Sequence, residues 1–118
     1  MEITRELELD ASPDEVWELL SDPDELAAWV GDEVRGARLD PALEGVRRLG
    51  WTWAPDGIES EVQVVVEEVG DRSVVRIVER SVTGAARACS IGDAWDERLF
   101  GLEVRCLTRQ HALVGLAL

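Results

Sequence analysis

The sequence predicts one α+β domain over residues 1–118, a curved antiparallel sheet with two short helices after its first strand and a long C-terminal helix packed across it. Three observations predict it. Apolar and polar residues alternate with period two at the N-terminus and again between residues 46 and 80, two helix-start signals follow the first alternation directly, and the last quarter carries an apolar stripe at helical spacing. The length of 118 residues suits a single domain, which buries about two-thirds of the surface its unfolded chain exposes.

Glu2 to Asp10 places Ile3, Leu7 and Leu9 on one side and Glu2, Thr4, Glu6 and Glu8 on the other, a strand with one wet face whose inner side only Arg5 interrupts. Ser12 then caps a helix, Pro13 suits its first position, and Glu15 completes a capping box ahead of Val16, Trp17, Leu19 and Leu20. Asp22-Pro23-Asp24-Glu25 repeats the start signal for a second short helix, Leu26 to Val30, ended by Gly31. The acidic residues in both first turns complement the helix dipoles, so Asp14, Glu15, Asp24 and Glu25 read as structural.

Glu33 to Leu39 gives a weak strand signal that runs into Asp40-Pro41, and Ala42 to Gly45 reads as a turn or connection. Val46 to Trp53 is a strand with Leu49, Trp51 and Trp53 on one face. Ala54-Pro55-Asp56-Gly57 reads as a reverse turn. Ile58 to Val69 carries Val62, Val64 and Val66 on one face, Gly70-Asp71 closes a hairpin, and Ser73 to Arg80 puts Val75 and Ile77 on one face and Arg76 on the other. Thr83-Gly84-Ala85 ends the sheet. From Asp93 to about His111, Trp95, Leu99, Leu102 and Cys106 recur at steps of four, three and four, with Phe100, Val104, Leu107 and His111 on a second stripe.

The formal net charge of −13 argues against nucleic-acid and membrane-surface partners, because such a surface repels phosphate. All twelve basic residues are Arg; without Lys there is no Schiff-base chemistry, and without Tyr no phenolic acid. The lack of Lys, Asn and Tyr suggests a GC-rich bacterial genome. Cys89, Cys106 and the single His111 lack metal-site spacing, so neither a metal nor a cofactor is expected, and the two cysteines read as small buried apolar residues. An acidic, alternating N-terminus and no apolar run of about 20 residues place the expectation in the cytoplasm.

Four stretches, Asp10–Trp17 (DASPDEVW), Ser21–Trp29 (SDPDELAAW), Leu49–Trp53 (LGWTW) and Val74–Arg80 (VVRIVER), resemble the START-like superfamily, also called SRPBCC or Bet v 1-like, and within it the branch of activators of the heat-shock ATPase. The resemblance implies a helix-grip fold of seven strands around the last helix, with a cavity that takes lipids, polyketides or other apolar molecules. Between Gly36 and Trp51 the chain has only about fourteen residues, too few at about 3.3 Å per residue for two additional strands. A shortened sheet leaves an unpaired edge, and together with the second apolar stripe of the last helix it favours a homodimer.

Trp29, Trp51, Trp53 and Trp95 converge on the sheet-helix space, either as a packed core or as a partly open aromatic pocket completed by Val64, Val66, Val75, Ile77, Leu99 and Leu102. Glu79 shares the inward parity of Val75 and Ile77. It either pairs with an Arg such as Arg5 or has a raised pKa and meets a ligand. No nucleophile stands beside a base, so no catalytic residue is assigned. The expected function is non-catalytic binding of a small apolar ligand. The alternatives are a chaperone-accessory or stress-related interaction module with a protein partner, and a cyclase- or hydrolase-like enzyme marked by a cavity where Glu79 or His111 meets a second polar group.

Overall fold

The computed structural model describes residues 1–30, 38–43, 46–54, 57–81 and 88–117, with the backbone alone for 38–43 and 109–117. The readings at Gly31, Glu33 to Gly36, Pro55-Asp56 and Thr83-Gly84-Ala85, and the side chain of His111, lie outside the described residues.

β1 (Glu2–Leu9) runs with alternating exposure, as its sequence requires. α1 (Pro13–Ser21) begins where Ser12 Oγ accepts the Glu15 N–H at 3.3 Å, and it buries Val16, Leu19 and Leu20. α2 (Pro23–Val30) is capped by Asp22, whose Oδ1 accepts the N–H groups of Asp24 and Glu25 at 2.9 and 3.2 Å. These caps satisfy donors that a helix start otherwise leaves open, each for about 1 kcal/mol.

β2 (Arg38–Leu43), β3 (Val46–Trp53), β4 (Ser60–Val69) and β5 (Arg72–Arg80) follow, and the five strands form one antiparallel sheet in the order β1-β5-β4-β3-β2. β4 and β5 join through Gly70-Asp71, where Gly70 takes a φ of 64° that a side chain would resist. At the β3–β4 turn the Gly57 N–H donates to the Ala54 carbonyl at 3.1 Å, with Gly57 at a φ of 87°.

Two expectations are corrected. β2 begins at Arg38, at the end of the weak strand signal, and continues through Asp40-Pro41 into Ala42-Leu43, where the sequence predicts a turn or connection; it pairs with β3 from Arg38 opposite Gly50 to Leu43 opposite Val46. Pro41 lies inside it and has no N–H to donate, which the strand tolerates because β2 is at the sheet edge and its register shifts between Asp40 and Leu43. The fourteen-residue segment therefore supplies one short strand and the start of the next, and among the described residues the sheet has five strands where the resemblance implied seven.

The last helix, α3 (Ala88–Ala117), is also longer than Asp93 to His111, because Ala88 to Gly92 are small or apolar and Ile91 packs against the core. Its 30 residues rise about 45 Å. α3 lies across the inner face of the sheet, and Trp95, Leu99, Leu102 and Cys106 meet the core that contains Val62, Val64, Val66, Val75 and Ile77. Cys106 is buried as expected, but Cys89, in the first turn of α3, is exposed.

Candidate functional site

Strand parity builds the inner face of the sheet in rows. Register puts Trp51 beside Val62, Val62 beside Glu79, and Glu79 beside Ile3; the next row is Leu49, Val64, Ile77 and Arg5. At the end of β3, Trp53 lies opposite Ser60. α3 delivers Trp95 over this end and α2 delivers Trp29, so that the four indoles form a chain. Ring centroids are 6.3 Å apart for Trp29 and Trp95, 5.9 Å for Trp95 and Trp53, and 5.6 Å for Trp53 and Trp51. The Arg98 guanidinium covers Trp95 and Trp53 at 4.8 and 5.2 Å from their centroids, and its Nε donates to the Val30 carbonyl at 2.7 Å.

Glu79 is buried within this group. Its Oε1 accepts the Trp95 indole N–H at 2.7 Å, and its Oε2 accepts the Ser60 hydroxyl at 2.6 Å and the Trp53 indole N–H at 3.3 Å. The expected pairing with Arg5 does not form: Arg5 Nε donates instead to Asp96 of α3 at 2.9 Å. Gly92 makes that reach possible, since a Cβ there would lie 2.3 Å from an Arg5 nitrogen.

The sequence reading missed Ser60. Its one signal was its parity with Val62, Val64 and Val66, obscured by its place beside a turn. Its hydroxyl hydrogen is committed to Glu79. The arrangement therefore anchors aromatic side chains rather than presenting a nucleophile.

Two of the four indoles differ from the others. The N–H groups of Trp29 and Trp51 are buried and have no hydrogen-bond acceptor among the described residues. Leaving such a donor unpaired costs about 1–3 kcal/mol. Trp29, Trp51 and Trp95 are almost wholly inside, and Trp53 alone is half-buried. The remaining expected lining residues, Val64, Val66, Val75, Ile77, Leu99 and Leu102, are all buried around this cluster. A groove of about 830 Å³ lies elsewhere, on the outer side of α3, where Leu19, Phe100, Gly101 and Val104 meet the polar side chains of Asp22, Glu25, Arg105 and Thr108.

Among the described residues no three His, Cys, Asp or Glu side chains gather as a metal site needs, and no helix is long and apolar enough to cross a membrane.

The fold is shared with solved structures. CalU16 from Micromonospora echinospora superposes with a TM-score of 0.64 at 24% identity, over 86% of this chain and 71% of that one. The Aha1 dimer from Colwellia psychrerythraea matches with a TM-score of 0.67 at 15% identity, over 87% of this chain and 93% of that one. DynU16, a protein of the dynemicin biosynthetic locus, matches with a TM-score of 0.63 at 15% identity, over 91% of this chain and 47% of that one. No curated protein matches the chain. These likenesses establish a START-like fold. The family model described as polyketide cyclase / dehydrase and lipid transport matches residues 1–91, which contain the sheet, both short helices, and three of the four clustered tryptophans together with Glu79. With that match over most of its length, the chain belongs to the polyketide cyclase / dehydrase and lipid transport family.

Proposed function

We propose that the chain is a non-catalytic binder of a small apolar molecule that carries hydrogen-bond acceptors, held in the sheet-helix space among Trp29, Trp51, Trp53 and Trp95. The observation that carries this reading is the pair of buried indole donors, at Trp29 and Trp51, that find no acceptor among the described residues. A guest bearing a carbonyl or ether oxygen satisfies such a donor while its carbon skeleton stacks on the rings. Family membership supports the ligand class, lipid or polyketide, and so does the likeness to DynU16 of the dynemicin locus. The guest enters beside Trp53, the half-buried ring, by displacing the Arg98 side chain from its face.

The test is a panel containing a fatty acid and a flat polycyclic ketone, added to protein refolded from denaturant so that nothing co-purified remains. Binding at micromolar affinity, about 8 kcal/mol, is expected to quench tryptophan fluorescence and raise the melting temperature. Trp51→Phe, which keeps a ring and removes the donor, is expected to weaken that binding about 3–10-fold. If no compound changes either signal, the indoles are simply a packed core and bound water serves the two donors.

A second reading, a protein-interaction module, is favoured by one observation, the exposure of Phe100, Val104 and Leu107 on α3. The Aha1 neighbour, solved as a dimer, supports it. The cyclase-like alternative has Ser60 beside Glu79 as its single support, and both groups are occupied with each other.

A further inference from the structure

We infer that Glu79 is the specificity-determining residue of the sheet-helix site, reading a hydroxyl on a neutral guest and refusing a carboxylate. The inference rests on the proposed binding of an apolar molecule among the four indoles and says which molecule that site prefers. A carboxylate offers about four acceptor positions, two on each oxygen. Among the described residues three are used, since Oε2 accepts from Ser60 and Trp53 while Oε1 accepts from Trp95 alone. Glu79 is 5% exposed, so bulk water has little access to the fourth position. Register sets this spare acceptor near a spare donor. Trp51 and Glu79 flank Val62 in one row of the inner face, two strand spacings or about 10 Å apart along the backbone. The Trp51 indole N–H, like that of Trp29, finds no acceptor among the described residues. A flat ketone with a hydroxyl at its far end answers both groups at once, its carbonyl accepting from an indole and its hydroxyl donating to Oε1. Hydrogen bonds to an ionised acceptor are the strong ones.

The same residue sorts guests by charge. The three donors that Glu79 receives among the described residues are all neutral. Arg5, which shares its face of the sheet, is held by Asp96, and Arg98 lies on the rings of Trp95 and Trp53 with its Nε on the Val30 carbonyl. A second carboxylate placed beside Glu79 in this water-poor interior is therefore repelled, because like charges a few ångströms apart interact strongly where the dielectric is low. A fatty acid that brings its head group to this row loses to a neutral hydroxy-ketone of the same apolar area.

Calorimetric titration of the refolded whole chain with a matched set of probes reads the preference: a tetralone, a hydroxytetralone, the methyl ether of that compound, and the tetralone with a carboxylate at the same ring position. The hydroxytetralone is expected to bind about tenfold tighter than the tetralone and the methyl ether. The carboxylate is expected to bind at least about tenfold weaker than the tetralone. Glu79→Gln is expected to move these two in opposite directions, weakening the hydroxytetralone about threefold and tightening the carboxylate, whereas a merely structural loss weakens both. A second measurement needs no variant. In the unaltered chain, the difference in chemical shift between the complexes of the hydroxytetralone and its methyl ether is expected to be largest at the Trp95 indole N–H, which shares Oε1 with the guest hydroxyl. Equal binding of hydroxyl and ether, a carboxylate as tight as the tetralone, or a shift difference centred on Trp29 or Trp51 overturns the inference and leaves the apolar binder standing. Binding by none of the probes overturns both.

Discussion

At Glu79 a buried carboxylate is surrounded by donors from three elements: Trp53 at the end of β3, Ser60 at the start of β4, and Trp95 on α3. Glu79→Gln keeps the shape and places an amide N–H₂ where one of those donors points. It is expected to cost about 1–3 kcal/mol, read from chemical unfolding, and to change the tryptophan emission because Trp95 loses its acceptor. The sequence placed Glu79 correctly, because parity with Val75 and Ile77 determines which side of a strand a residue occupies. Its partners were not legible, since they depend on how β3, β4 and α3 meet. Arg5 illustrates the limit. It shares the inner face with Glu79 and has the opposite charge, yet Asp96 takes its guanidinium because Gly92 leaves a passage between them.

α3 contributes to the fold through one stripe and leaves another outward. Leu99 and Leu102 are 5% and 0% exposed, so each truncation to Ala is expected to cost about 2–5 kcal/mol in a denaturant titration. Phe100→Ala, one residue from Leu99, is expected to stay within about 0.5 kcal/mol in the single chain, which separates the two faces experimentally. Elements that fix their own register were readable from sequence. β1 alternates, Ser12 and Asp22 cap α1 and α2, and Gly70 marks the β4–β5 turn, each a local cause with a local effect. β2 was misread because Pro41 and a bulge erase its period, and what makes it a strand is the neighbouring edge of β3. The first turn of α3 was missed because Ala88 to Gly92 have no apolar periodicity, and its packing is set by the sheet beneath.

For the molecule as a whole, the sheet order β1-β5-β4-β3-β2 joins the chain's first strand to its last. The outer face records that pairing in charge, with Arg80 on Glu2 at 3.0 Å, Arg76 on Glu6 at 2.6 Å and Arg72 on Glu8 at 2.9 Å. Arg76, hydrogen-bonded to Glu6 and beside Glu67, is held above even the ordinary arginine pKa, so its own charge in this ladder is constant. The same topology governs the order of events in folding. The β4–β5 hairpin closes across two residues and forms in about 1–10 µs, whereas Glu2 finds Arg80 only across nearly the whole sheet, with a closure cost that grows as the logarithm of the loop. A chain emerging from the ribosome therefore holds β1 unpaired until β5 has been made. Kinetic measurements in denaturant are expected to show Val75→Ala slowing folding and Leu7→Ala mainly speeding unfolding, as for a strand that docks last.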